Sequence, residues 1–153
     1  MKHYKDVLNN IYAYESDGSQ DAFIKEGLVP ISDEDLAAMI APTTEQLLSQ
    51  LSAARKEQER QGVVINGIRY AGDPGNRQSL QEAIAFMENA SLTEFPTWKD
   101  SDDVFHADHP LADVKDAVRA IGARRSQLIA AEGEYAAQII AGTLTDLTEV
   151  VWP

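Results

Sequence analysis

The sequence predicts an α+β protein, in which small β-hairpins pack with several helices, including a long C-terminal helix. Two observations lead to this prediction. Pairs of residues that accept positive φ angles, Asn9-Asn10 and Asn66-Gly67, separate short stretches of aromatic and β-branched residues, a pattern typical of tight hairpins. Elsewhere, apolar residues recur at the three- and four-residue spacing of amphipathic helices, most extensively between Leu111 and Ala141.

The first 42 residues predict a hairpin followed by a short helix. Tyrosines stand on both sides of the Asn9-Asn10 turn, and a second turn is predicted at residues 16–19. Ser32 is a typical N-cap, because its hydroxyl can accept from the free backbone amides of a first helical turn. The acidic residues that follow, 33–35, suit the positive end of the helix dipole. The predicted helix ends before Pro42.

A second helix is predicted to begin at Thr43 or Thr44. Its apolar residues lie only in its first half, and its second half, 55–61, is wholly polar. Because a helix that loses its apolar stripe tends to leave a core, the predicted domain boundary lies here. It separates an N-terminal hairpin and short-helix module, residues 1–54, from a helix-rich module with two β-hairpins, residues 55–153.

The second module opens with the strongest hairpin signal in the chain. Two short β-branched and aromatic stretches flank Asn66-Gly67, which favours a type I′ turn. A helix is predicted after Asp73, with Pro74 at its first position, where no amide donor is needed. A further hairpin is predicted with strands at residues 97–99 and 104–106.

The final helix is predicted to start at Pro110, with Asp108 or His109 as its N-cap. Its apolar positions form an interrupted seam, typical of a helix that packs along a partner in the same chain or in another copy. Gly122 and Gly133 lie in its interior. Since each costs ~1 kcal/mol in a helix, a break or a close backbone approach is predicted at these positions.

The composition argues against several partners. The chain has 25 acidic and 13 basic residues and a net charge of −12, so nucleic acid and anionic membranes would repel it. No stretch approaches the ~18 apolar residues of a membrane span. There are no cysteines, which excludes disulfides and thiolate chemistry and fits a reducing cytoplasm. The predicted partners therefore include neither nucleic acid nor membrane.

The best enzymatic constellation in the sequence is an acidic and histidine cluster. Two histidines close together, with carboxylates on either side, are a combination that divalent metals can bind. The alternative is that one member caps the final helix and the remaining side chains are solvated. We favour this alternative, so no catalytic residue, cofactor or metal site is predicted. The cluster comprises Asp102, Asp103, His106, Asp108 and His109.

Two adjacent arginines in the final helix, Arg124 and Arg125, lie beside Lys115 and Arg119, and this basic group suggests a phosphate contact. In a chain this acidic, ion pairs with carboxylates at helical spacing are the simpler interpretation. The predicted partners of these basic side chains are Asp113, Asp116 and Glu132.

Aromatic residues mark the predicted partner-binding surface. Tyr12 and Tyr14 share one face of a regular strand, and tyrosine is favoured at interfaces. Because a two-stranded hairpin is marginal alone, this face either covers the adjacent helix or binds a partner. Trp98 is predicted to anchor the second hairpin on the final helix, and Trp152 either packs back or serves as an exposed anchor. The predicted partner-binding residues are Tyr4, Tyr12, Tyr14, Phe23, Trp98 and Trp152.

Two parts of the sequence resemble known families. The segments YKDVLNNIYAYESDGSQDAFI and GLVPI, with the short acidic helix that follows, resemble the N-terminus of phage tail fibre assembly proteins, also called tail fibre chaperones. Residues 55–153 resemble a domain of unknown function common at phage and prophage tail loci. One turn departs from that pattern, since Asp102-Asp103 stands where Asp-Gly is usual. The residues that match are Arg55, Gly62, Val64, Asn66–Tyr70, Trp98, Ile139–Gly142, Thr143-Leu144 and Leu147.

The resemblance implies a chaperone that acts without nucleotide or covalent chemistry. Such a protein binds the C-terminal end of a trimeric tail fibre polypeptide in the host cytoplasm and promotes folding and trimerisation. It then leaves or stays on the fibre tip. A second interpretation is a permanent adaptor of the virion tail fibre or baseplate, in which the final helix forms a homo-oligomer. A third is a small enzyme that uses the acidic and histidine cluster around His106 and His109.

Overall fold

The computed structural model describes residues 1–153 and confirms the predicted α+β class. Four α-helices and three small antiparallel sheets follow one another along the chain. Contacts divide them into two compact units, residues 1–43 and residues 44–153. None of the helices combines the length and the apolar character that crossing a membrane requires.

The first unit is a three-stranded antiparallel sheet followed by one helix. Strand β1 (Lys2–Lys5) lies between β2 (Ile11–Tyr14) and β3 (Val29–Ile31). The β1–β2 hairpin is the one that the sequence predicts. The sequence does not predict β3, because this strand is only three residues long and contains Pro30, which strands disfavour. Pro30 is tolerated because β3 is an edge strand.

Helix α1 (Asp33–Ile40) begins where the sequence predicts. Ser32 Oγ accepts a hydrogen bond from the backbone amide of Asp35 at 3.0 Å, which satisfies one free donor of the first turn. The acidic residues 33–35 fill that turn, near the positive end of the helix dipole. Capping and charge therefore explain why so short a helix starts at this point.

The second unit contains three helices and two hairpins. In its first hairpin, Asn66 and Gly67 have φ angles of 51° and 81°, the two positive values of the predicted type I′ turn. The second hairpin is longer than predicted, because its strands continue through Pro96 and Pro110, a residue type that strands disfavour. The elements in order are α2 (Thr44–Gln61), β4 (Val63–Ile65), β5 (Ile68–Tyr70), α3 (Pro74–Asn89), β6 (Glu94–Lys99), β7 (Phe105–Pro110) and α4 (Leu111–Ile140).

Two clusters of buried residues form the core of the second unit, and α4 contributes to both. The first cluster contains Tyr70, Leu80, Val114, Ala117 and Ile121. The second contains Leu47, Leu51, Ile139 and Leu144. Because α2 supplies two members of the second cluster, residues 44–54 belong to the second unit. The structure thus divides the chain after Thr43, whereas the sequence places the boundary after residue 54.

Two glycines allow the end of α2 to approach the end of β5. A Cβ at Gly62 would lie 1.8 Å from the carbonyl oxygen of Tyr70, and one at Gly72 would lie 2.1 Å from that of Glu59. Gly62 also has a φ angle of 73°, which side chains disfavour. Only glycine fits this crossing without displacing the backbone.

The two glycines inside α4 have no such role. The helix is continuous through Gly122 and Gly133, so the predicted break is wrong. The predicted close approach is also wrong, because a Cβ at either position would meet no atom within 4 Å. Both residues are exposed, and the buried clusters along α4 offset their poor helix propensity.

The predicted N-cap of α4 is wrong as well. Asp108 and His109 lie in β7, and Pro110 occupies the N-cap position without a side-chain hydrogen bond. His109 pairs with Phe95 across the sheet and is only 2% exposed. Its buried imidazole is hydrogen-bonded to the hydroxyl of Tyr70, and this contact favours the strand over a solvated cap.

Candidate partner-binding surface

The first unit has no buried residue. Every residue from 1 to 43 is exposed or half-buried, whereas the second unit has two buried clusters. Large apolar side chains are among the most exposed ones, since Val7 is 92% exposed, Leu8 79% and Phe23 72%. Because this unit has no core that could cover these side chains, we treat them as a candidate interaction site. Val7, Leu8 and Phe23 are called the apolar contact set below.

Val7 and Leu8 form the tip of the β1–β2 turn, and the carboxylate of Asp6 orders this turn. Asp6 Oδ1 accepts from the backbone amides of Leu8 and Asn10 at 2.8 and 2.9 Å. Its Oδ2 accepts from the side-chain amide of Asn10 at 2.8 Å and from the hydroxyl of Tyr12 at 3.1 Å. One carboxylate therefore fixes the backbone from which two apolar side chains project.

These hydrogen bonds shift two pKa values. The side-chain and backbone donors of Asn10 lower the pKa of the Asp6 carboxyl below its usual value, because they stabilise the charged form. The same carboxylate raises the pKa of Tyr12, since it accepts the hydroxyl proton and repels a phenolate. At neutral pH the turn is therefore held by a charged carboxylate and a protonated tyrosine.

The three tyrosines share one face of the first sheet. Tyr4 lies directly opposite Tyr12 in the strand register, and the rings of Tyr4 and Tyr14 meet edge to face with centroids 5.6 Å apart. Lys25 Nζ lies 5.2 Å from the centroid of the Tyr12 ring. All three rings are half-buried, so each keeps accessible surface beyond these contacts.

Phe23 ends a short 3₁₀ turn, Asp21–Phe23. The ammonium group of Lys2 is 2.7 Å from Asp21 Oδ1, so an ion pair ties this turn to β1. Phe23 itself projects from the turn into solvent. Like the tip of the hairpin, it is an exposed apolar side chain on a backbone that polar contacts hold in place.

The two tryptophans lie in the second unit and take part in its packing. Trp98 packs against the first cluster, with its ring centroid 4.9 Å from that of Phe95 and stacked on His109 at 5.4 Å. It anchors the second hairpin on a cluster to which α4 contributes, as predicted. Trp152 packs back on the second cluster, and its ring meets that of Tyr135 edge to face at 6.2 Å. Partner contacts by either tryptophan stay a prediction.

The acidic and histidine cluster does not converge on one point. His106 Nε2 is 2.8 Å from Asp100 Oδ2, whereas His109 Nε2 is 2.6 Å from the hydroxyl of Tyr70. Asp102 forms an ion pair with an arginine of β5. No group of three or more histidine, aspartate or glutamate side chains is placed to hold a metal ion.

Burial sets the protonation of the pair between His109 and Tyr70. Desolvation lowers the pKa of His109 below its usual value and raises the pKa of Tyr70 to about 12. At neutral pH the imidazole is therefore uncharged and the phenol keeps its proton. The pair is a buried hydrogen bond within the core of the second unit.

Sequence reasoning identified four of the side chains in the first unit and missed the tip of the hairpin. Val7 and Leu8 are apolar residues in a turn, where an apolar residue is unusual. The signal that could have identified them is Asp6, because an aspartate two residues before Leu8 and four before Asn10 can bond both backbone amides.

Comparison with known proteins identifies the family of the second unit. A family profile described as "Domain of unknown function (DUF4376)" matches residues 42–151. The chain belongs to this family. The DUF4376 match corresponds to the unit at residues 44–153 and leaves residues 1–41, with the apolar contact set, outside it. No curated protein and no solved structure matches the chain.

Proposed function

We propose that this protein is a phage or prophage tail fibre assembly protein. It binds the C-terminal end of a trimeric tail fibre polypeptide in the host cytoplasm and promotes fibre folding and trimerisation, after which it leaves or stays on the fibre tip. It acts by binding alone, without catalysis, cofactor or metal. The observation that carries this proposal is the first unit, which buries no residue and keeps large apolar side chains exposed on an ordered backbone.

The sequence resemblance and the exposed surface fall on the same residues. The first 42 residues carry the resemblance to tail fibre assembly proteins, and residues 1–43 form the unit without a core. Without a partner, this unit would lack the stabilisation that burial of its apolar side chains supplies. A partner that covers them supplies that burial and explains why they are exposed in the isolated chain.

A trimeric β-rich fibre is a partner with a physical need for such a surface. Its strands pair over long sequence distances, so folding is slow and apolar surface stays exposed meanwhile. The first unit offers such a polypeptide the apolar contact set and also the outer edge of β2, which no strand of this chain pairs with. Both features bind unfolded or partly folded chains without sequence-specific chemistry.

The proposal is tested by co-expression with a tail fibre gene of the same phage or prophage, followed by purification and sizing with light scattering. The variant Leu8→Ser/Phe23→Ser removes one exposed aliphatic and one exposed aromatic residue from the first unit. The control Val64→Ser/Phe86→Ser does the same in the second unit, where these residues are 63% and 65% exposed. Wild type and control should form a complex and raise the yield of soluble trimer.

The Leu8→Ser/Phe23→Ser variant should bind the fibre at least about tenfold more weakly, since exposed apolar anchors dominate many interfaces. Two results would contradict the proposal. One is the absence of any complex between the wild-type protein and the fibre. The other is equal loss of binding in the variant and in its control.

A second candidate function is a permanent adaptor of the tail fibre or baseplate. Ile129 and Ile140 on α4 are 41% and 70% exposed. About three helical turns separate them, so they lie on the same face of the helix, as the interface of a homo-oligomer requires. A stable oligomer of the protein alone, together with a fixed copy number in purified particles and no effect on fibre solubility, would favour this function.

A further inference from the structure

A cleft of about 370 Å³ in the second unit is lined mainly by basic side chains. The cleft lies between α2, the start of α3 and the middle of α4, and its volume is within the usual range of ligand sites. Its basic residues are Arg55, Lys56, Arg60, Arg77 and Arg125.

The charge of this cleft contrasts with that of the chain. Five of the 13 basic residues line it, against two acidic ones, Glu59 and Asp73, so the lining carries a net charge of +3. The whole chain carries −12. A local positive potential in so acidic a protein attracts anions while the remaining surface repels them.

Glu59 holds the arginines in place. Its side chain is 9% exposed and forms ion pairs with Arg55, with Arg125 Nε at 3.3 Å and with Arg77 Nη1 at 3.6 Å. Arg55 Nε is also 2.5 Å from Glu132 Oε2 on α4. Guanidinium groups from three helices thus pair with one carboxylate. Of the helical-spacing ion pairs that the sequence predicts along α4, the one between Arg119 and Asp116 forms, whereas Arg125 pairs with Glu59.

Lys56 and Arg125 keep hydrogen-bond donors that no protein atom uses. Lys56 is exposed, and its ammonium group forms no hydrogen bond or ion pair in the structure. Arg125 Nε lies 3.3 Å from Glu59, its two terminal nitrogens donate no hydrogen bond to the protein, and its side chain is 46% exposed. A guanidinium with free terminal nitrogens can donate two parallel hydrogen bonds to a carboxylate.

Most of the accessible lining of the cleft is carbon. Since every lining residue except Pro74 is charged, this carbon belongs to the Pro74 ring and to the aliphatic stems of the long side chains. A ligand that combines carboxylates with aliphatic carbon suits such a lining. A fully hydrated dianion such as phosphate suits it less, because phosphate has no carbon to place on this part of the lining.

We propose that this cleft binds an acidic segment of a partner polypeptide. A glutamate or aspartate carboxylate of the partner bonds to Arg125 and Lys56, and its aliphatic carbons lie on the arginine stems. The site belongs to the DUF4376 domain and is separate from the apolar contact set of the first unit. It therefore does not depend on the proposed function, and either can hold without the other.

The test measures binding of a short polyglutamate peptide by isothermal titration calorimetry at low ionic strength. A polyglutamine peptide of the same length and inorganic phosphate serve as comparison ligands. The variant is Lys56→Gln/Arg125→Gln, and the matched control is Lys115→Gln/Arg119→Gln, which removes the same charge elsewhere on the second unit. Thermal unfolding of each variant, followed by tryptophan fluorescence, shows that the second unit is folded.

The polyglutamate peptide should bind the wild type and the control variant with equal affinity. It should bind the cleft variant at least about tenfold more weakly, because charge-assisted hydrogen bonds are lost. Three results would overturn the proposal. These are no binding of polyglutamate, equal binding of polyglutamine, and equal loss of affinity in the control variant. Binding of phosphate in preference to polyglutamate would also overturn it, in favour of a site for a small oxyanion.

Discussion

The two units of this protein are stabilised by different means. Residues 44–153 have two buried clusters, and their polar contacts add to a packed core. Residues 1–43 contain no buried residue and depend on strand pairing, a helix cap and the hydrogen bonds of carboxylates such as Asp6. Because burial of apolar surface is the main favourable term in folding, the first unit is expected to be the less stable one.

This difference separates a unit that buries apolar residues in a core from a unit that buries none. A core conceals its apolar residues, as the second unit does with Leu51 and Val114. The second unit also exposes apolar residues such as Val64 and Phe86, but the first unit exposes them without having any core. Since a ligand stabilises whatever it binds in the folded state, a partner of residues 1–43 would raise the stability of the unit that most lacks it.

The largest expected effect tests the close backbone contact in the second unit. Gly62→Ala should lower the free energy of unfolding by about 4 kcal/mol, because it combines a disfavoured φ angle with a backbone clash at Tyr70. Gly67→Ala is the matched control, since Gly67 also has a positive φ angle but has nothing within 4 Å of an added Cβ. Urea unfolding followed by tryptophan fluorescence measures both. Equal losses would show that strain alone, and not the contact, is responsible.

The next effect compares the same substitution in the two units. Leu51→Ala in the second unit should cost about 3 kcal/mol, because Leu51 is 1% exposed and its removal leaves a cavity. Leu8→Ala, at a residue that is 79% exposed, should change the free energy of unfolding by less than about 0.5 kcal/mol. Urea unfolding at one pH, followed by far-ultraviolet circular dichroism so that both units contribute to the signal, tests both variants. A loss at Leu8 as large as that at Leu51 would show that the hairpin tip is covered in solution.

The third effect uses pH to distinguish the units. Burial lowers the pKa of His109, so the folded second unit binds this proton less well than the unfolded chain does. The free energy of unfolding of the second unit should be highest above pH 6.5, the ordinary pKa of histidine. It should fall as the pH drops from 6.5 towards the lower pKa of His109 in the folded state. Both tryptophans lie in this unit, so their fluorescence follows it alone. His109→Gln should make the stability of the second unit less dependent on pH. If the pH dependence is unchanged in this variant, another titratable group causes it.

The first unit should respond to pH in a different range. Hydrogen bonds lower the pKa of Asp6 and of Asp17 below the ordinary value of 3.8. The stability that these carboxylates supply is therefore present above pH 3.8 and is lost as the pH falls through their lower pKa values. Between pH 6.5 and about 4.5 only the second unit should weaken. Amide exchange in the first unit over that range provides the measurement.

The sequence predicts most helices and hairpins because their signals are local. Ser32 and Asp73 cap the helices that they precede, and Asn66-Gly67 forms its turn from its own φ preferences. The errors concern residues whose environment is set by distant parts of the chain. His109 follows the pattern of a solvated cap, yet a tyrosine far away in sequence makes it a buried strand residue. The absence of a core in the first unit is likewise visible only when all its neighbours are known.

The smallest effect on overall stability should come from Asp6→Ala, and it isolates the hairpin tip. This substitution removes the acceptor of four hydrogen bonds, which include the backbone amides of Leu8 and Asn10. Because the second unit has its own core, the unfolding transition reported by tryptophan should not move. Hydrogen exchange at Leu8 and Asn10 should become faster, since the turn loses its order. Binding to the fibre should weaken even though Val7 and Leu8 are intact, because ordering the tip would then oppose association.

Unchanged hydrogen exchange at Leu8 and Asn10 would mean that strand pairing alone fixes the turn. A shift of the tryptophan transition would mean that the two units unfold together, which contradicts the contrast between them.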